Sequence, residues 1–138
     1  MIRNSSACVL FAFMFIAVGC SGATDDTPEL GTVSGTVKLD GNPVPQATVT
    51  FSPEEGGRPS SGPTDDQGFY ELQYSLNNPG AVPGKHQVRI STATTVTNEA
   101  GEDVEVPESI PAKYNTKTEL VEEVKPTSQT IDFDLTSN

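Results

Sequence analysis

Few side chains in this 138-residue chain can do chemistry, and their types and spacing limit what that chemistry is. It has one histidine, His86, so no pair or triad of imidazoles can hold a metal within one chain. A Ser-His-Asp arrangement would need the same residue. In KHQVRIST, His86 shares parity with Val88 and Ile90, which places it on the inward face of a strand as a packed or rim histidine. Asp65-Asp66-Gln67-Gly68 offers the clustered oxygens a hard cation takes. It lacks the alternate acidic spacing of an EF-hand loop, and the favoured reading is an Asp capping its own turn ahead of a positive-φ Gly68. Glu99, Glu102, Asp103, Glu105 and Glu108 form an acidic run that suits a surface for a basic partner or cation, although a solvated loop is the commoner use. Paired carboxylates for glycoside hydrolysis need a shaped cleft with controlled separation, and nothing in these polar segments points to one. Tyr114 in IPAKYN is the candidate ligand contact, because Tyr70 and Tyr74 share parity with Leu72 and are expected to pack. A sugar platform needs a row of exposed aromatics, and a single loop tyrosine more often lies along an edge of the fold. No catalytic residue, metal ligand or cofactor is expected.

These residues must be positioned by short strands. In residues 32–39 (TVSGTVKL), Val33, Gly35, Val37 and Leu39 alternate with polar partners, the period of a half-buried strand. Asp40-Gly41 is a turn signal, and Ala47, Val49 and Phe51 repeat the alternation. Residues 53–67 hold no apolar side chain large enough to anchor a core and read as a loop. FYELQY, KHQVRIST, ELVEEV and TIDFDL are further strands, with VEV in the acidic segment a short candidate. About seven short strands, 12 Gly, 11 Pro and no long helical period predict an all-β fold, an antiparallel β-sandwich over residues 32–136. The length leaves room for one such domain.

Charge narrows the partners. The net charge of −11 repels nucleic acid and anionic membrane surfaces, so neither is expected to bind the domain.

The cysteines raise a separate question. Residues 7–19 read ACVLFAFMFIAVG, an uncharged run behind MIRNSS and its single Arg3. A membrane-crossing helix needs about 20 apolar residues, whereas a secretory h-region of roughly 7–15 follows a basic n-region. Residues 1–19 are therefore expected to be a signal peptide. Ala17-Val18-Gly19-Cys20 resembles the bacterial lipobox, whose cysteine thiol takes a diacylglyceryl group and becomes the first residue of the mature chain. Ala17 stands where leucine is commonest. Ordinary secretory cleavage, with Cys20 incidental, is the alternative. On the lipobox reading Cys8 leaves with the signal and Cys20 is the lipidation site, so the mature chain has no intrachain disulfide. Acyl chains that bury about 0.8 kcal/mol per CH₂ then anchor the protein without a spanning helix. Residues 20–31 become a tether, and Ser21 stands where aspartate would signal retention at the inner membrane, so the outer membrane is favoured.

VSGTVKLDGNPVPQATVTF, TDDQGFYEL and PGKHQVRI together resemble the carboxypeptidase-regulatory-like domains of the transthyretin-like, or prealbumin-like, group. IPAKYN and IDFDL extend the resemblance over roughly residues 32–135, in short bacterial lipoproteins made of a signal, a tether and one such domain. His86 stands where an aromatic is usual. The resemblance implies a fold far more than an activity. Transthyretin-like enzymes that hydrolyse 5-hydroxyisourate resemble one another in two histidines, an arginine and a Tyr-Arg-Gly-Ser terminus, and this chain has one histidine and reads Leu135-Thr136-Ser137-Asn138 there. In the regulatory-domain peptidases the zinc site lies on a separate domain. The expectation is a non-catalytic, membrane-tethered envelope lipoprotein whose sandwich is an accessory or interaction module for an envelope protein or glycan; a carbohydrate-binding module is the alternative.

Overall fold

The computed structural model describes residues 27–138, so the apolar run and Cys20 lie outside the described residues. Strand β1 (Val33–Leu39) buries Val33 and Val37 completely and turns Lys38 to solvent, as its alternation requires. Asp40 and Gly41, both at positive φ, reverse the chain into the two-residue β2 (Asn42–Pro43). The order continues through β3 (Thr48–Pro53), β4 (Ser60–Pro63), β5 (Phe69–Glu71), β6 (Gln73–Ser75) and β7 (Asn78–Pro79). Then come β8 (Gly84–Ser91), β9 (Thr94–Thr97), β10 (Asp103–Val106) and a 3₁₀ turn (Ala112–Tyr114). The chain closes with β11 (Val121–Val124), β12 (Gln129–Thr130) and β13 (Phe133–Leu135).

Two sheets face each other. One runs β11-β8-β3-β4-β6-β7, antiparallel throughout. The other is centred on β1, with β5 and β2 antiparallel to it and β12 and β13 parallel to it. The sandwich is thus antiparallel apart from one seam, where the first and last long-range partners run side by side. Phe133 joins the layers: its ring lies 6.2 Å from Phe51 of the facing sheet and 6.1 Å from Tyr70 of its own. Val49, Val88 and Ile90 complete the facing layer, all fully buried. Burying each of these side chains contributes about 1.5–3 kcal/mol.

The parallel seam is interrupted between β12 and β13, and a side chain repairs it. Asp132 Oδ1 accepts the Thr36 amide at 2.9 Å where a backbone carbonyl would otherwise stand. The Tyr70 hydroxyl donates to the Ile131 carbonyl at 2.5 Å. That carbonyl crosses so close to Gly35 that a Cβ there would sit 1.9 Å from it. Gly35 is glycine because of this close approach.

Four segments depart from the sequence reading: TIDFDL, expected as one strand, is broken at Ile131-Asp132 into β12 and β13, and three others differ as follows. Residues 53–67, expected as a loop, contain β4, whose inward positions are Ser60 and Gly62. FYELQY is not one strand: β5 pairs with β1 and β6 with β4, so the chain changes sheets at the buried Leu72. Parity is reset by that crossing, and Tyr74 lies half-buried under the Arg58 guanidinium, 5.5 Å from the ring centre, instead of packing with Leu72. The acidic segment, expected as a solvated loop with VEV as a short strand, is a hairpin in which β10 pairs with β9.

Candidate functional site

The hairpin forms one wall of an apolar groove outside the core, and its construction starts from Thr-Val-Thr and Val-Glu-Val. Pairing of Val96 with Val104 and of Thr94 with Val106 collects three valines on one face. Thr95, Thr97, Asp103 and Glu105 take the other face. Asn98 shapes the turn, its Oδ1 accepting the amides of Ala100 at 2.9 Å and Glu102 at 3.0 Å. Gly101 supplies the positive φ that closes it.

Glu108 holds the base. Its Oε1 accepts the Thr92 amide at 2.8 Å, the Thr92 hydroxyl at 2.9 Å and the Ile110 amide at 3.1 Å. Its Oε2 accepts the Ser91 hydroxyl. Ser109 adds its amide to the Thr92 hydroxyl at 2.8 Å. Partial burial pushes the Glu108 carboxyl up, but the donors from Ser91, Thr92 and Ile110 outweigh it and hold the group below the usual range. One carboxylate therefore pins the departing and returning strands together.

The opposite wall is the segment after β2. Thr64, itself buried, accepts the Ala47 amide at 2.8 Å and donates to the Val44 carbonyl at 2.6 Å. The Val44 amide donates to the Val37 carbonyl at 3.1 Å, which fixes this wall to β1. Between the walls lies a groove of about 440 Å³, lined by Leu39, Pro43, Val44, Val96, Val106 and Pro107 among others, with no aromatic ring. Val96, Val104 and Val106 are 47%, 44% and 37% exposed, so the valine face has no cover.

The other candidates are placed as follows. His86 is buried; its Nε2 lies 2.7 Å from the Val82 carbonyl, its ring 5.8 Å from Phe51, and its Nδ1 has no partner. Asp65 Oδ1 accepts the amides of Gln67 and Phe69, both at 2.9 Å, and Gly68 has a φ of 76°, the capped turn expected. Tyr114 is half-buried against the core, and its hydroxyl accepts the Thr136 amide at 3.1 Å. Lys113 lies over its ring at 5.1 Å. These bonds to Thr136, with Lys113 close by, hold the Tyr114 phenol below its usual value. Among the described residues no group of three or more His, Cys, Asp or Glu is placed to hold a metal ion, and no helix is long and apolar enough to cross a membrane. Cys20 lies outside the described residues.

Sequence reasoning missed Thr64 and Asn115, and it placed Glu108 in an acidic surface run with no sign of its clamp on Ser91 and Thr92. Asn115 is buried, its side-chain amide donating to the carbonyls of Ile90, Ile110 and Pro111 at 3.1–3.3 Å. The sequence gives no signal for Thr64 or Glu108 beyond their types.

No family model and no curated protein matches the chain. Among solved structures, a 9R-lipoxygenase from Cyanothece PCC8801 aligns at 12% identity and a TM-score of 0.43, over 84% of this chain and 18% of the enzyme. BcpA, the major pilin subunit of Bacillus cereus, aligns at 17% identity and a TM-score of 0.42, over 78% of this chain and 30% of the pilin. The chain spans less than a third of either protein.

Proposed function

We propose that this is a non-catalytic envelope lipoprotein, held to a membrane by lipid on Cys20, whose β-sandwich is an interaction module. The observation that supports the reading is the placement of the groove relative to the chain's point of entry. Gly31 pairs with Ala81 at one end of β1, and Pro28 lies there beside Pro53 and Tyr74. From that end β1 runs about 20 Å at ~3.3 Å per residue to Leu39, which lines the groove. A tether through residues 20–31 would therefore hold the near end and leave the groove directed away from the anchor. The acidic surface acts in the same sense, keeping the domain off anionic lipid. The glycan-binding alternative has less support, since the groove has no aromatic lining and the Tyr114 hydroxyl is engaged by Thr136.

The test is the intact mass of protein extracted from membranes of a bacterial host, beside a Cys20→Ala variant. The expected result is a chain beginning at Cys20 with a diacylglyceryl group, lost in the variant. An unlipidated chain in the soluble fraction overturns the anchoring half of the proposal.

A further inference from the structure

We infer that the end of the sandwich where the tether enters rests on a zwitterionic phospholipid surface, with Leu76 dipping into it beside Arg58 and Lys85; this rests on reading Cys20 as the lipid anchor.

Several stretches of chain converge on that end. β1 starts there, β3 runs into it, β6 and β7 turn over at Leu76-Asn77, and β8 leaves from it. Register fixes the convergence: Pro53 stands opposite His86, Ser61 opposite Gln73 and Gly84 opposite Val124. Pro28, Pro53, Arg58, Tyr74, Val82 and Lys85 line one shallow hollow. Cys20 precedes Pro28 by so few residues that, at ~3.3–3.6 Å per residue, even a fully extended chain spans less than about 30 Å. Lipid on Cys20 therefore keeps this end within reach of the bilayer surface. A contact too weak to bind a free protein gains from the high effective concentration of a tethered one.

Leu76 supplies the contact. It is 100% exposed, more than any other large apolar side chain among the described residues. It occupies the tip of a tight turn, where asparagine, glycine or aspartate is usual. Asn78 closes that turn without it, its side-chain amide donating to Ser75 Oγ at 2.8 Å. Behind the tip lies Tyr74, with the Arg58 guanidinium 5.5 Å from its ring centre. An aliphatic tip backed by a tyrosine and a cation suits the boundary between headgroups and acyl chains.

Charge decides the kind of lipid. The groove end carries Asp40, Asp65, Asp66 and the five acids of residues 99–108, against Lys38 and Lys113. The tether end is nearly balanced. Arg58, Lys85 and Lys125 stand there with Glu29, Glu54, Glu55 and Glu123. Both signs suit a headgroup that carries phosphate and ammonium together. The net charge of −11 opposes an anionic surface.

The experiment is hydrogen–deuterium exchange on the full mature protein, lipidated at Cys20 and placed in phosphatidylcholine nanodiscs, beside a Leu76→Asp variant. Residues 57–59 and 82–85 flank the tip and are untouched by the substitution. Their amides should exchange several-fold more slowly in the parent than in the variant, while residues 94–106 exchange alike in both. The two melting temperatures should agree, because Leu76 lies outside the core. Replacing part of the lipid by phosphatidylglycerol should shrink the difference. The inference is overturned if the flanking amides exchange alike in parent and variant, if residues 94–106 slow equally, or if slowing needs phosphatidylglycerol. Where the intact mass shows no lipid, coupling the Cys20 thiol to a maleimide-bearing phospholipid supplies an equivalent anchor for the same comparison. A lipidated chain whose tip stays in water loses only this inference, and an unlipidated chain that docks once coupled loses only the natural anchor.

Discussion

Strand β8 and the hairpin that grows out of it use the same two-residue alternation, and only one of them is covered. In β8, His86, Val88 and Ile90 are at most 1% exposed because β1, β5 and β13 form a second sheet opposite them. In the hairpin, Val96, Val104 and Val106 repeat the pattern with no second sheet opposite, and each is at least 37% exposed. Alternation fixes which side chains share a face. Burial is decided by whether another layer comes over that face. The difference separates residues that hold the fold from residues left free to meet something else.

The sharpest break in this comparison is made at Phe51, which touches both sheets through Phe133. Phe51→Ala should cost about 3–5 kcal/mol, a large fraction of a domain's stability, with denaturant unfolding as the measurement. Gly35→Ala comes next. Its new Cβ would lie 1.9 Å from the Ile131 carbonyl, so the parallel seam must move, at about 1–3 kcal/mol. A variant as stable as the parent would mean that the seam is softer than its hydrogen bonds imply.

Tyr70 tests the same seam by pH. Tyr70→Phe removes the donor to the Ile131 carbonyl and should cost about 0.5–1.5 kcal/mol at neutral pH. Burial, with Asp132 and Glu122 nearby, pushes the folded phenol well above its ordinary value of 10.0. The folded state therefore keeps its proton where the unfolded chain loses one. Stability is intact below about pH 10 and falls as pH rises past it. The phenylalanine variant lacks that loss, so its disadvantage should shrink in alkaline melts.

The strands around Val33, Val49 and Val88 were legible because large β-branched and aromatic residues mark their inward positions, whereas FYELQY and TIDFDL each divide into two. Strand β4 was illegible for a physical reason. Its inward positions are Ser60 and Gly62, and a Cβ at Gly62 would sit 2.1 Å from the Glu71 carbonyl, so the sheet crossing at Leu72 leaves no room for the apolar signal that announces a strand. The same crossing moved Tyr74 outward. The groove was harder still to read. One wall lay in a segment whose acids spoke for a loop, and the clamp that shapes it joins Ser91 and Thr92 to Glu108, seventeen and sixteen residues apart. Such a long-range side-chain contact leaves no local pattern.

That clamp gives a smaller effect confined to one side of the comparison. Glu108→Gln should loosen the hairpin and cost the whole domain only about 0.5–1 kcal/mol, because water screens bonds this exposed. Acid should act likewise. The Glu108 carboxyl is held below its ordinary 4.5, so its contribution is full above that value and is lost as pH falls through the lower, folded one. Amide exchange at Thr92 and Ile110 should then quicken while Val88 and Ile90 stay protected. Equal loss at all four would mean that hairpin and sandwich open as one unit.

The smallest effect carries the most weight for the comparison. Val104 lies on the same face as Val96 and Val106, is 44% exposed and packs on no second layer. Val104→Thr keeps the branched shape and the β-propensity while adding a hydroxyl. In β8 the same change at the fully buried Val88 would strand a polar group in the core at about 1–3 kcal/mol. At Val104 the hydroxyl meets water, and stability should stay within about 0.5 kcal/mol of the parent. Chemical denaturation of the two variants side by side measures the difference directly. If Val104→Thr costs as much as Val88→Thr, the hairpin face is already covered.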